Sequence, residues 1–138
     1  MARVSVEVPG ELVEAVRETV LLLYQATAES LHQALRARAE GEPGTAAEAH
    51  AHRVRIDELD ELARALAAGQ GPVRVTASRD LLHDTLYGAL IDAGERLAAL
   101  SGRGWRGEVP AGRIQEAAGE VLSLHSLLGG LESDSPCR

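Results

Sequence analysis

Two stretches decide the fold: Arg3-Val4-Ser5-Val6-Glu7-Val8-Pro9-Gly10-Glu11-Leu12-Val13, and Val73-Arg74-Val75 followed by Asp80-Leu81-Leu82. In the first, apolar and polar residues alternate from Arg3 to Val8, the period of a half-buried strand. Pro9-Gly10 ends it, and a helical pattern follows. In the second, Val73, Val75 and Ala77 alternate, and Ser78 stands where it can cap another helix. Sliding one stretch by 69 positions matches Val4 with Val73, Leu12 with Leu81, Leu21 with Leu90, Leu22 with Ile91 and Leu31 with Leu100. The chain therefore reads as an internal repeat, approximately 3–69 and 72–131, each copy a strand followed by two helices.

Outward from these stretches, helical spacing predicts four helices. Leu12, Val16, Val20, Leu23, Thr27, Leu31 and Leu35 share one face of a run from Glu11 to Ala39. Gly41 to Gly44 makes a turn, and Thr45 with Glu48 has capping-box spacing. A second helix, from Ala46 to Ala68, presents Ile56, Leu59, Leu62, Ala63 and Leu66. The third turns Leu81, Leu82, Leu86, Ala89 and Ala93 inward as far as Leu100. Ser101 to Val109 is glycine-rich and reads as a loop. Pro110 suits the first turn of a fourth helix, with Ile114, Val121, Leu124, Leu128 and Leu131 inward. The expected architecture is a single mostly α domain over 1–138: a four-helix-bundle-like pair of strand-helix-helix repeats. Its two strands are too short to stand alone, so they pair within the chain or across a dimer. Residues 132–138 are expected to be a flexible tail.

Composition narrows the function classes. The chain has no Phe, one Trp and two Tyr, so the core must be aliphatic. The net charge of -7 disfavours a nucleic-acid surface, whose affinity comes from cations near phosphate. All the Lys and Arg positions are Arg. Cys137 is the single cysteine and has no partner for an intrachain disulfide. The longest strongly apolar run, Val20 to Tyr24, is far short of a membrane span. Without a long apolar run after Arg3, a cytoplasmic location is expected.

No strong catalytic or metal motif is present, so the reading favours a non-enzymatic protein with no cofactor. Glu29-x-x-His32 and Asp80-x-x-His83 have di-iron-like spacing but lie on polar helix sides. Glu48, His52 and Arg55, Asp92 and Arg96, and His125 instead fall on faces read as apolar, where an unpaired polar group is costly. If they converge, a closed network of ion pairs and hydrogen bonds is expected. The alternative is a pocket for an anion or a transition metal, with carboxylates from Glu48 and Asp92 and imidazoles from His52 and His125. Asp92 and Arg96 are spaced for an i,i+4 ion pair. Arg103, Trp105 and Arg106 could clamp a partner, although a lone Trp between helices is expected to plug the bundle end.

Leu21, Leu22, Tyr87 and Ile91 form second apolar stripes, away from the main face, in both copies. They point to an oligomer interface, and so to a homodimer or larger assembly as the partner state. Another protein is a further candidate partner, with no membrane.

The stretch Arg3 to Val16 resembles the start of a ribbon-helix-helix repressor. The resemblance implies a strand pair that enters the DNA major groove, with Arg3, Ser5 and Glu7, or Arg74 and Thr76, on the base-reading face. It covers about a tenth of the chain. The family's first helix is short, whereas this one runs on through Leu35, and Glu7 would face phosphate. Three function classes follow: an oligomeric binding or regulatory protein, a metal- or small-ligand-binding bundle, and a ribbon-helix-helix-like DNA-binding regulator.

Overall fold

The structure, a computed structural model, describes residues 3–67 and 71–133. In chain order these form β1 (Arg3–Val8), a 3-10 turn (Gly10–Leu12), α1 (Val13–Ala39), α2 (Thr45–Ala67), β2 (Val73–Ser78), α3 (Arg79–Trp105) and α4 (Ala111–Ser133). The chain is mostly helical, with four helices and one two-stranded sheet among the described residues. Residues 134–138, including Cys137 and most of the expected tail, lie outside the described residues, as does Gly69 at the expected repeat boundary.

The strands pair with each other, antiparallel, from Arg3 opposite Ser78 to Val8 opposite Val73. Val6 thus faces Val75, the residue 69 positions on. The alternation seen in the sequence governs burial. Val73, Val75 and Ala77 are buried beneath the sheet, while Arg74 and Thr76 are exposed above it. α2 packs on β2, α4 packs on β1, and α1 crosses α3.

The core is aliphatic, as the absence of Phe requires. Leu12, Val16, Val20, Leu59, Leu62, Leu66, Leu81, Leu86, Leu124 and Leu131 meet near the sheet. Each such side chain contributes about 1.5–3 kcal/mol through its removal from water. Buried Thr19, Thr27 and Thr85 satisfy their hydroxyls on the carbonyl one turn back: Ala15 at 3.2 Å, Leu23 at 2.7 Å and Leu81 at 2.8 Å. At the α1–α3 crossing Gly88 lies against Thr19, where a β-carbon would stand 3.0 Å from the Thr19 methyl.

Each helix pair is closed by the same device. Gly41 and Gly107 take positive φ values of 85° and 75°. The Gly41 amide donates to the Arg38 carbonyl and the Glu42 amide to Ala37; the Gly107 amide donates to Gly104 and the Glu108 amide to Arg103. These are Schellman caps, which need a residue free of the left-handed penalty. Ser78 caps α3 as expected, accepting from the Leu81 amide at 3.4 Å.

Several details differ from the sequence reading. α3 does not stop at Leu100 but continues to Trp105. Gly104 lies in this extension facing α4, where a β-carbon on it would meet Ile114 Cδ1. Thr45 does not form a capping box with Glu48; its hydroxyl donates to the Glu42 carbonyl at 3.2 Å. Leu35 is exposed and its neighbour Ala34 is buried in its place, as is Ala49 of α2. The helix bounds recur 66 positions apart, Val13 with Arg79 and Thr45 with Ala111. The strand bounds recur 70 positions apart, and the Gly10–Leu12 turn before α1 has no counterpart between β2 and α3.

Candidate functional site

The six polar residues expected to converge lie in separate places. Glu48 and His52 line a shallow groove on one side of the α1–α2 hairpin, together with Ser30 and Gln33. Arg55 reaches across to Asp84 of α3, forming an ion pair rather than meeting Asp92. Asp92 and Arg96 make the expected i,i+4 pair at 3.4 Å, and Arg96 also holds Glu120 of α4 at 2.6 Å. His125 is exposed. The convergence is absent because each helix is covered over a narrow sector only. Asp92 and His125 sit just outside it, at positions a broader bundle core would have enclosed. Among the described residues, no group of three or more His, Cys, Asp or Glu side chains is placed to hold a metal.

Trp105 does not fold back as a plug: 93% of its surface is exposed at the end of α3. Its neighbours Arg103 and Arg106 both turn to Glu108, at 3.6 and 3.2 Å. The outer face of the sheet carries Arg3, Ser5, Glu7, Arg74 and Thr76, all exposed. Ser5 and Thr76 share a hydrogen bond of 2.8 Å, and Arg3 is held by Glu61 at 3.1 Å.

The second apolar stripes are open. Leu21 and Leu22 of α1, and Tyr87 and Ile91 of α3, are 50%, 65%, 50% and 47% exposed, and α1 and α3 are in contact. Tyr87 stacks on His83, with ring centroids 5.9 Å apart. The acidic frame of these stripes was missed in the sequence. On α1, Glu18, Leu21, Gln25 and Glu29 are all exposed; on α3, so are Asp84, Tyr87, Ile91 and Glu95. Both sets run i, i+3, i+7, i+11, which keeps them on one line of a helix. The signal was present in the sequence, but at a spacing of 66 rather than 69.

A further groove lies between the distal parts of α1 and α2. It encloses about 440 Å³ over a floor of Leu31, Leu35, Ala46 and Ala49, with Arg38, His50 and Arg53 at its edges. Comparison of the chain with protein-family models, with curated proteins and with solved structures finds no match.

Proposed function

We propose that this chain is a non-enzymatic binding or regulatory protein that works as an oligomer, built from two strand-helix-helix repeats. The observation that carries the reading is the matched pair of exposed helix lines, Glu18-Leu21-Gln25-Glu29 and Asp84-Tyr87-Ile91-Glu95. A lone exposed Leu needs no explanation. Leu21, Tyr87 and Ile91 on these lines, with Leu22 beside the first, are better accounted for by a second covered surface. Recurrence of the same line on both helices fits a duplicated interaction element. The repeat itself is supported by the 66-position recurrence of helix bounds and by the two Schellman caps at Gly41 and Gly107. A pseudo-twofold axis would pass between Val6 and Val75. Sedimentation velocity tests the reading: a mass above the monomer at micromolar concentration supports it, and a strict monomer rejects it.

A second reading, a ribbon-helix-helix-like DNA-binding regulator, is favoured by one observation. The strands pair within the chain into an antiparallel ribbon whose open face carries Arg3, Ser5, Arg74 and Thr76. Charge weighs against it, since Glu61 occupies Arg3 and Glu7 stands opposite Arg74. Mobility shift of genomic fragments at low salt discriminates, because a phosphate-binding ribbon would retard DNA and lose it as salt rises.

A further inference from the structure

The groove at the α1–α2 hairpin has the opposite charge pattern to the exposed helix lines. α1 and α2 run antiparallel through the Gly41–Gly44 turn, so Arg38 lies beside Ala46 at the distal end, while Arg53 lies beside Leu31 at the other. Seven residues separate Leu31 from Arg38, and Ala46 from Arg53, so the cations stand about 10 Å apart along the groove. An apolar floor lies between them. A ligand with a single anionic head would engage one end only. A helix with acids at both ends of an apolar segment would engage both, in the helix-in-groove manner.

This chain carries such a helix line. On α1, Leu21 and Leu22 lie between Glu18 and Glu29, which are about 16 Å apart along the axis. Long arginine stems can close the difference from each end. The charges on both sides are also unspent. Among the described residues, Arg38, Arg53, Glu18 and Glu29 form no ion pair. The corresponding line on α3 is partly spent, since Asp84 holds Arg55. Between α3 and α4 lies a groove of about 210 Å³ whose cations are not all free, since Arg96 pairs with Glu120.

We infer that the α1–α2 groove is the docking site for a second copy of this chain, which enters it with the line Glu18-Leu21-Leu22-Glu29. This rests on the oligomeric reading above and assigns that face its partner surface. Line and floor occupy different lengths of α1, Glu18 to Glu29 and Leu31 to Arg38. One copy can therefore offer its line to one neighbour and its groove to another, a heterologous contact that propagates into a ring or a chain of copies.

Two variants test it in sedimentation velocity. Arg38→Glu/Arg53→Glu spoils the groove and keeps the line; Leu21→Gln/Leu22→Gln spoils the line and keeps the groove. Each alone should associate at least tenfold more weakly than the unmodified protein. Mixed in equal amounts, they should form a complex that stops at one copy of each, the intact line of the first in the intact groove of the second. Arg36→Glu, an exposed cation outside the groove, should leave assembly unchanged. All five substituted sites are exposed, so circular dichroism should show an unaltered fold. If the unmodified protein assembles and Arg38→Glu/Arg53→Glu assembles equally well, or the mixture stays monomeric, the groove is not the docking site. If the unmodified protein is monomeric throughout, the oligomeric reading itself falls, and this inference falls with it.

Discussion

Replacing Leu21 and Leu22 by Gln should weaken self-association while leaving the fold intact, and the size of the effect can be worked from their exposure. Full burial of a Leu side chain is worth about 1.5–3 kcal/mol. Leu22 retains 65% of its surface and Leu21 50%. Covering what remains open is then worth about 1–2 kcal/mol for Leu22 and about 0.8–1.5 kcal/mol for Leu21. Together they supply about 2–3.5 kcal/mol, or about a 30- to 300-fold change in the association constant. Within a single copy, little is lost. Both side chains stand outside the core, Gln is a good helix former, and surface changes of this kind stay within about 0.5 kcal/mol. Sedimentation velocity over a concentration series measures the first effect, and urea unfolding of the dilute protein the second. An unchanged association constant would refute the reasoning. So would a loss of more than about 2 kcal/mol in the dilute protein, a core-sized effect, since the two leucines would then be holding their own fold.

Three further outcomes concern the fold. Leu59→Ala, at a fully buried site of α2, should cost about 2–5 kcal/mol in urea unfolding by opening a cavity beside β2. Ser78→Ala should cost about 1 kcal/mol in the same assay by uncapping α3 and leaving the Leu81 amide without its acceptor. Gly104→Ala should destabilise the protein slightly, by less than about 1 kcal/mol, because the Ile114 Cδ1 methyl must move aside for the new methyl and this offsets the gain in helix propensity. The same change in an Ile114→Ala background should instead add about 0.5–1 kcal/mol through helix propensity, and thermal melting of the four proteins reads this change of sign.

Much of the fold was legible in the sequence because two periods dominate it. The alternation of Arg3 to Val8 and of Val73 to Ala77 could bury one face only as strands, and both are strands. The leucines spaced along Glu11 to Ala39 and Ala46 to Ala68 could share a face only as helices. The interfaces between elements were less legible. Ser101 to Val109 reads as a loop by its glycines, but Gly104 faces Ile114 of α4, and the backbone stays helical to Trp105.

The candidate site was read less well, for a related reason. A helical position fixes an angle around the axis, but not how wide a sector the neighbours cover. Leu35, Asp92 and His125 lie at or beyond the edge of the covered sector, so they are exposed. Asp92 and Arg96, one turn apart on a single helix, needed no such information and do pair. The unpaired charges of Arg38 and Arg53 became visible only once the hairpin had set them around a common floor.

The central claim is that this chain acts by self-association, and sedimentation equilibrium of the unmodified protein tests it most directly. The monomer has a mass of 14.6 kDa. The weight-average mass should exceed that value at micromolar concentration, rise with concentration, and fall as added salt screens the acidic and cationic ends of the contact. A single species of 14.6 kDa across the whole concentration range, at low and high salt alike, would contradict the account.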